Sequence, residues 1–293
     1  MKDSVYNFCW WVSGIVLPEY RNQGIGKTFV RILLDKFDVC GGIGFNPSVR
    51  KNYIRFGLKQ FDFKTLRRFT LLLNTESYSL IREKFKEEMR VLLPISTDTE
   101  KVNYPIENLK SFNNSVVSCF NEMKHRVKVN THRTPEYLNW RYIKNPKIQY
   151  ECSAVLEDEK YKAYVVSRHE RFYPTKLFAT RLIDLVGSPE FASELIAHEI
   201  NKARQRNDAF LDFSFTGNFY EKILEHHGFS EILGDHYGAL PLVSSPTEYR
   251  ENEEFICLGS KRFPDLFGDI EFNDLYFTRG DSDRDRYNKL PNR

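Results

Sequence analysis

Two glycines at the start of a predicted helix are the residues of this sequence best suited to holding a phosphate. They are Gly24 and Gly26 in the stretch Arg-Asn-Gln-Gly-Ile-Gly-Lys, residues 21–27. Glycine lets backbone N–H groups point into a concavity, where the positive end of the helix dipole also favours an anion. Lys27 at the rim adds a charge for a phosphate oxygen. The spacing indicates a pyrophosphate cradle, although two glycines alone are as typical of a turn without a ligand.

The residues around these glycines resemble the acyl-CoA-binding signature of the GNAT superfamily, Arg/Gln-x-x-Gly-x-Gly/Ala, with Arg21, Gly24 and Gly26 in place. The strand before it ends in the superfamily's frequent hydrophobic-x-Pro-x-Tyr/Phe-Arg arrangement, here Val16, Pro18, Tyr20 and Arg21. The resemblance implies binding of acyl-CoA, with acetyl-CoA as the expected co-substrate and no metal. The residues implied in this binding are Ile15, Val16, Arg21, Asn22, Gln23, Gly24, Ile25, Gly26, Lys27 and Asn46.

A second stretch, residues 46–58, is similar to the same superfamily. Asn46 begins a predicted helix, and Tyr53 stands four residues before Gly57, which Leu58 follows. The resemblance implies that Tyr53 protonates the departing CoA thiolate and that Asn46 contacts the CoA arm. A phenol with a pKa of about 10 is a suitable acid for this step. Without these neighbours Tyr53 would be interpreted as an aromatic residue packed on a sheet.

The other catalytic groups are less well defined. The resemblance implies that a backbone N–H around residues 14–16 stabilises the oxyanion of the intermediate. The strand contains Ser13 but no carboxylate or histidine, and Glu19 lies in the turn, so the general base is not identified. Deprotonation of the amine through water stays open.

A rival interpretation is a Walker A loop, Gly-x-x-x-x-Gly-Lys-Ser/Thr, which Gly26, Lys27 and Thr28 complete at its end. Arg21 stands where the first glycine is required. No later stretch has the form of a hydrophobic strand ending in a magnesium-binding aspartate. The P-loop-like nucleotide-binding protein is kept as an alternative.

A strand, a tight turn and a helix are predicted to position the cradle. Residues 5–16 are rich in aromatic and β-branched side chains and stop at Leu17-Pro18, which predicts a strand ended by proline. Apolar residues then recur at helical spacing over 27–37. The elements expected next are a strand (39–45), a helix capped by Asn46 and ended by Gly57, and a strand pair (59–73).

The rest of the chain repeats this plan of elements. Predicted are three helices (80–93, 111–126, 135–143), three strands (151–156, 161–168, 177–186), a helix (189–206), a strand (209–215), a helix (218–227) and two strands up to residue 258. The segments around Ala209 and Asn218 indicate an internal duplication. The resemblance then implies an α+β (mixed α/β) fold of tandem GNAT-like domains, each a mixed central sheet flanked by helices. We expect a partial first domain at 1–100 and a second at 101–293 with a C-terminal tail.

The two predicted domains depart from the GNAT pattern in different ways. A complete GNAT domain has two helices and three strands before the cradle, whereas 16 residues precede Leu17 here. An uncovered sheet edge in such a partial domain favours association, including a homodimer. In the second domain the turn corresponding to the cradle contains Glu190, which would repel phosphate, and Leu224 stands in place of the tyrosine. That domain is expected to have a degenerate CoA site and to form the acceptor side.

The resemblance implies an enzyme, an N-acetyltransferase that acts on a small-molecule amine. Residues 137–142 and 278–283 are similar to two-part bacterial acetyltransferases of surface-polysaccharide synthesis, which suggests an amino sugar on a nucleotide carrier. A non-catalytic GNAT-like binding or scaffold protein is a further alternative.

Composition excludes several other classes of protein. A net charge of +3, from 43 basic and 40 acidic residues, gives no attraction to a nucleic acid. Five scattered cysteines without C-x-x-C spacing argue against disulfides and zinc, and fit a reducing cytoplasm. The apolar runs fall short of the ~20 residues of a membrane span, and no signal peptide is expected.

Three lesser features receive structural interpretations. Trp140 is expected to pack in the core of the second domain. Residues 281–286 begin like a calcium loop but lack its glycine, so a solvated tail is favoured. The adjacent His226 and His227 point in different directions on a helix and do not form a metal pair.

Overall fold

The computed structural model of the protein describes residues 4–12, 14–45, 47–64, 66–97, 99–123, 125–158, 160–244, 247–249, 255–281 and 285. Its strands are β1 (Phe8–Trp10), β2 (Val39–Phe45), β3 (Lys59–Lys64), β4 (Arg67–Leu72), β5 (Ile106–Asn108), β6 (Val129–Asn130), β7 (Glu151–Glu157), β8 (Lys160–Arg171), β9 (Phe178–Gly187), β10 (Phe210–Phe215), β11 (Ser230–Ile232), β12 (Val243–Ser244), β13 (Thr247–Glu248), β14 (Phe255–Gly259) and β15 (Leu275–Tyr276).

The helices are α1 (Ile25–Lys36), α2 (Pro47–Arg55), α3 (Lys86–Leu92), α4 (Val116–Asn121), α5 (Pro135–Leu138), α6 (Pro189–Gln205) and α7 (Glu221–His226). Within the described ranges, no helix combines the length and the apolar character that a membrane crossing needs.

The first sheet has the strand order β1-β2-β14-β3. β1 and β2 run parallel, with Cys9 opposite Cys40, and α1 connects them. β14 lies antiparallel between β2 and β3, so that Cys257 stands opposite Gly42 on one side and Gln60 on the other. A strand from late in the chain therefore completes a sheet that is otherwise built from its beginning.

The second sheet has the order β11-β4-β10-β9-β8-β7-β5. β9 and β10 run parallel and are connected by α6. β4 lies antiparallel between β10 and β11, where Phe69 stands opposite Phe213 and Glu231. This sheet thus contains a strand from early in the chain.

The two sheets repeat each other, with one strand exchanged. β1-β2-β14-β3 and β9-β10-β4-β11 agree in order and in direction, since each has a parallel pair followed by two antiparallel neighbours. The helices α2 and α7 end alike, because Gly57 and Gly228 have φ angles of 81° and 80°. The two sheets therefore share one strand order, and each contains one strand from a distant part of the chain; the internal duplication itself stays a prediction.

This exchange changes two expectations about residues 59–73 and the domain boundary. Both predicted strands form, as β3 and β4, but they pair in different sheets rather than with each other. Local sequence pattern shows that a stretch is extended and does not show its partner, which here is distant in sequence. The division at residue 100 stays a prediction, and the strand pairing crosses it in both directions.

Helices and loops cover the faces of both sheets. α1 and α2 pack on one face of the first sheet around Val30, Leu34 and Tyr53. Residues 263–277 cover its other face, where the ring of Phe277 lies 5.0 Å from that of Trp10, centroid to centroid. α4 and α6 pack on the second sheet and bury the larger core of the protein. The first sheet is thus enclosed by segments from both ends of the chain.

Candidate active site

The turn before α1 places a left-handed glycine at the N-terminus of the helix. Gly24 is the N-cap residue, with a φ of 75°, a conformation that glycine adopts without steric cost. The first intrahelical hydrogen bond runs from the Thr28 N–H to the Gly24 carbonyl, at 2.9 Å. The earlier amides of the first turn have no acceptor within the helix. They lie at the surface, together with the positive end of the helix dipole.

Packing of the protein against itself does not require a glycine at position 24 or 26. A Cβ atom on Gly26 would touch Val16 Cγ2 at 3.8 Å, which is an ordinary contact, and one on Gly24 would touch nothing within 4 Å. Gly187 in the second half differs, because a Cβ atom added there would lie only 2.4 Å from the Cβ of Ala163. The space beside the Gly24 and Gly26 backbone is therefore open to the approach of a ligand.

Side-chain hydrogen bonds hold the shape of this turn. Arg21 Nε donates to the Val16 carbonyl at 3.1 Å, and Gln23 Nε2 donates to the Glu19 carbonyl at 3.2 Å. Arg21 and Lys27 are both exposed beside the helix N-terminus. The turn thus joins two cationic side chains to a set of surface amides, which suits an anionic group.

The strands β1 and β2 part where the chain approaches this turn. Their pairing ends with the Trp11 N–H, which donates to the Gly41 carbonyl at 2.7 Å. Residues 14–17 belong to no strand, whereas β2 continues to Phe45 along β14. We call the gap between residues 14–17 and the end of β2 the first wedge. The Arg21–Val16 hydrogen bond fixes its wall to the glycine turn, so the wedge and the cradle are continuous.

Tyr53 lies on α2 and packs in the apolar cluster that α1 and α2 form with the first sheet. Its side chain is buried, and its ring meets that of Trp11 edge to face, with 5.0 Å between centroids. Burial, together with the nearby Cys257 thiol, raises the pKa of the Tyr53 phenol to about 12. The phenol is therefore neutral at physiological pH, as a proton donor must be. Asn46 lies outside the described residues, and its contact with the CoA arm stays a prediction.

Trp11 is a residue of this site that the motif did not reveal. Trp11 directly follows β1 and makes the last hydrogen bond to β2. Its ring also meets that of Phe29 on α1, with 5.9 Å between centroids. A Cβ on Gly14 would lie 2.4 Å from the indole Nε1. Trp11 thereby links both helices at the apex of the first wedge. The available signal was its place at the end of a charge-free aromatic strand.

The equivalent gap in the second half is filled by the protein itself. β9 and β10 pair up to Leu182 opposite Phe213 and then part. Phe215 is paired with β4 on one side and bridges to Thr278 on the other, so residues 276–281 lie between β9 and β10. The Thr216 N–H donates to the Phe277 carbonyl at 2.8 Å. We call this gap the second wedge.

Buried charges fix the segment that fills the second wedge. Arg133 Nε lies 2.8 Å from Asp184 of β9, and Arg133 Nη2 lies 2.7 Å from Asp281. The Thr278 N–H also donates to Asp281, at 2.7 Å. Burial raises the pKa of Asp184, and the Arg133 charge opposes this. The expectation of a solvated tail over residues 281–286 is wrong for Asp281 and Asp285, because both carboxylates are buried and paired with arginines. Residues 282–284 and 286 lie outside the described residues.

Two further expectations about single residues have clear outcomes. Trp140 does not pack in the core, since its side chain is 66% exposed beside the ring of Tyr137. His227 is a buried structural residue, with Nε2 at 2.8 Å from Ser193 Oγ and Nδ1 at 3.1 Å from Glu100 Oε2. In the part of the chain that the structure describes, no cluster of three or more potential metal ligands occurs.

Comparison with known proteins relates this geometry to one fold. No family model matches the sequence, and no curated protein matches it. A GCN5-related N-acetyltransferase from Anabaena variabilis shares 13% identity, with a TM-score of 0.52 over 86% of this chain and 54% of that chain. A conserved protein of unknown function and probable N-acyltransferase from Enterococcus faecalis shares 13%, with a TM-score of 0.51 over 87% of this chain and 54% of that one.

The chain thus spans about half the length of both of these proteins. At such identity the likeness shows the fold alone, which is that of GCN5-related N-acetyltransferases. The mixed α+β fold expected from the sequence is confirmed, and it is the fold that the GNAT resemblance implied.

Proposed function

We propose that the protein is an acyl-CoA-dependent N-acyltransferase that transfers an acetyl group from acetyl-CoA to a small amine. The observation that carries the proposal is the first wedge, where two parallel strands part beside a left-handed glycine at a helix N-terminus. The shared fold supports acyl transfer in general. The acetyl donor and the amine acceptor are the finer part of the proposal.

The glycine turn would hold the pyrophosphate of CoA. The amides of Gly24, Ile25 and Gly26 supply donors without intrahelical acceptors, and Arg21 and Lys27 supply positive charge. The pantetheine arm would lie in the first wedge, along the backbone of Ile15 and Val16 where it pairs with no strand, with Asn22 and Gln23 at the rim. The open space at the Gly26 backbone fits this placement.

Tyr53 would act on the sulfur. The amine nitrogen attacks the thioester carbonyl, the C–S bond breaks, and the amine loses its proton to water. The thiolate is stabilised by the Tyr53 hydroxyl. Because the pKa of this phenol is raised to about 12, its full ionisation is costly. We therefore infer that the phenol donates a hydrogen bond to the developing thiolate, and that the proton finally comes from water.

One CoA site is proposed for each chain. The second wedge is closed by residues 276–281 and by the Arg133 ion pairs. The turn before α6 also differs, since Gly187 packs against Ala163 and leaves no room for a ligand. The second half would then serve to complete the first sheet and to contribute to the acceptor side.

The proposed acceptor is a primary amine on a small molecule such as a nucleotide-linked amino sugar. This choice rests on the resemblance of residues 137–142 to the polysaccharide-associated acetyltransferases. The exposed indole of Trp140 supports it, because an exposed aromatic face can stack on a sugar ring or a base.

The proposal is tested by acyl transfer. The protein is incubated with acetyl-CoA and a panel of primary amines, including nucleotide-linked amino sugars, and the released CoA thiol is measured. We expect release that saturates in both substrates for at least one amine. Binding of acetyl-CoA without thiol release for any amine would instead favour the non-catalytic binding protein.

A further inference from the structure

The indole of Trp11 extends from the apex of the first wedge towards the glycine turn. The backbone of Trp11 lies where β1 and β2 part, since its N–H donates to the Gly41 carbonyl. The ring reaches further along the chain, because a Cβ atom on Gly14 would lie 2.4 Å from the indole Nε1. The indole therefore lies beside the backbone with which the wall of the wedge, residues 14–17, begins.

The same indole fills the space between the apex and the two helices that cover the first sheet. It packs in the apolar cluster that contains Tyr53, Val30 and Leu34. Its ring meets those of Tyr53 and Phe29, with 5.0 and 5.9 Å between centroids. A side chain held between α1 and α2 in this way cannot turn aside without disturbing both contacts.

The proposed position of CoA determines which part of the acyl donor reaches the indole. The pyrophosphate would lie at Gly24 and Gly26, and the pantetheine arm would run along Val16 and Ile15 towards the apex. The acyl group is at the opposite end of the molecule from the pyrophosphate, bonded to the sulfur that Tyr53 is proposed to contact. The acyl chain is therefore the part that meets the indole, an inference that rests on the proposed function.

We propose that Trp11 limits the length of the acyl chain that the site accepts. An acetyl group ends before the indole, whereas a longer chain would have to enter the volume that the ring occupies. Close-packed apolar volume does not yield to extra methylene groups without strain. Trp11 is then the residue that determines donor specificity, and the donors are short-chain acyl-CoA molecules, with acetyl-CoA as the best fit.

Trp10, the residue before it, offers a matched comparison on the opposite face of the sheet. Side chains alternate between the two faces along a strand. The ring of Trp10 accordingly packs on Phe277, with 5.0 Å between centroids, in a different apolar cluster from that of Trp11. Loss of the Trp10 ring therefore removes packing from the same part of the chain without opening the space at the apex.

The test compares the binding of acetyl-CoA, butyryl-CoA and hexanoyl-CoA by titration calorimetry, which requires no acceptor amine. We expect the wild type to bind hexanoyl-CoA at least about tenfold more weakly than acetyl-CoA, and Trp11→Leu to remove this difference. The leucine keeps the position apolar and vacates the volume of the ring. Trp10→Leu is the control and should keep the wild-type order of affinities.

Trp11→Phe provides a second variant in case Trp11→Leu does not fold, which circular dichroism would show, and it should gain affinity for butyryl-CoA. The same chain-length preference in the wild type and in both Trp11 variants would overturn the proposal and leave the proposed function intact. An equal gain for hexanoyl-CoA in Trp10→Leu would overturn it too, since loosened packing would then be the cause. Absence of acetyl-CoA binding to the folded wild type would instead contradict the proposed function itself.

Discussion

The ring of Trp11 stands almost perpendicular to that of Tyr53, at 82°, with 5.0 Å between the ring centroids. Trp11 is also the residue at which β1 and β2 part, through its hydrogen bond to Gly41. The same side chain therefore marks the apex of the first wedge and packs against the residue that is proposed to donate a hydrogen bond to the thiolate. The contact therefore joins the end of the β1–β2 pairing to the side chain that is proposed to act on the sulfur.

Tyr53→Phe should lower kcat by about 10²- to 10³-fold, the usual range for loss of one hydrogen-bond donor to a developing negative charge. The affinity for acetyl-CoA should not change, because the ring and its packing on Trp11 remain. Steady-state thiol release and titration calorimetry measure the two quantities. Tyr173→Phe in the second half is the control and should behave as wild type. Full kcat in Tyr53→Phe would remove Tyr53 from the reaction.

Gly26→Asp should weaken acetyl-CoA binding by at least about tenfold, since it places a negative charge where the pyrophosphate is proposed to bind. Gly26→Ala is the matched control. Its Cβ meets Val16 Cγ2 at an ordinary 3.8 Å, so folding should be unaffected and binding nearly retained. Equal affinity in the Asp variant and the wild type would show that the cradle lies elsewhere.

Asp212→Asn should destabilise the protein by about 3–5 kcal/mol, because it leaves buried arginines without their anion. Asp212 lies 2.7 Å from Arg68 Nη2 and 3.2 Å from Arg279 Nη2, and all three side chains are buried. Urea unfolding measures the effect. Asp35→Asn, at an exposed ion pair with Lys261, is the control and should change the free energy of unfolding by no more than about 0.5 kcal/mol.

Stability should fall in acid partly through the same carboxylate. Burial alone would raise the pKa of Asp212, but Arg279, Arg181 and Arg68 outweigh it and lower the pKa from 3.8 to about 2. The unfolded chain then binds the proton first, so this contribution is fully present above about pH 5 and is lost as the pH falls from there to about 2. It amounts to about 2 kcal/mol. Urea unfolding against pH should be flatter for Asp212→Asn, and parallel curves would contradict the shift.

The sequence predicted the features of this protein that depend on neighbouring residues. The glycine turn, α1 and the helix of Tyr53 follow from spacing and capping within some forty residues, and each forms near its expected place. Helix α1 begins at Ile25 rather than Lys27, and β1 is shorter than residues 5–16. Such boundary shifts are common, since pairing with neighbours decides where a strand ends.

The sequence pattern could not predict which distant strands pair with each other. Nothing in the stretch 255–259 distinguishes a partner for β2 and β3 from another strand of the second sheet. The burial of Asp281 depends on Arg133 and Asp184, which come from two other segments. Trp140 was expected inside because of its size, but the helix around it turns Leu138 and Tyr142 inward instead.

Titration calorimetry with acetyl-CoA, with ATP and magnesium as the control ligand, tests whether the glycine turn binds CoA. We expect saturable binding of one acetyl-CoA per chain and no binding of ATP. Binding of ATP without acetyl-CoA would establish the phosphate-binding alternative at Gly26-Lys27-Thr28. Absence of binding to both would contradict the proposed cradle and leave only the fold in common with the N-acetyltransferases.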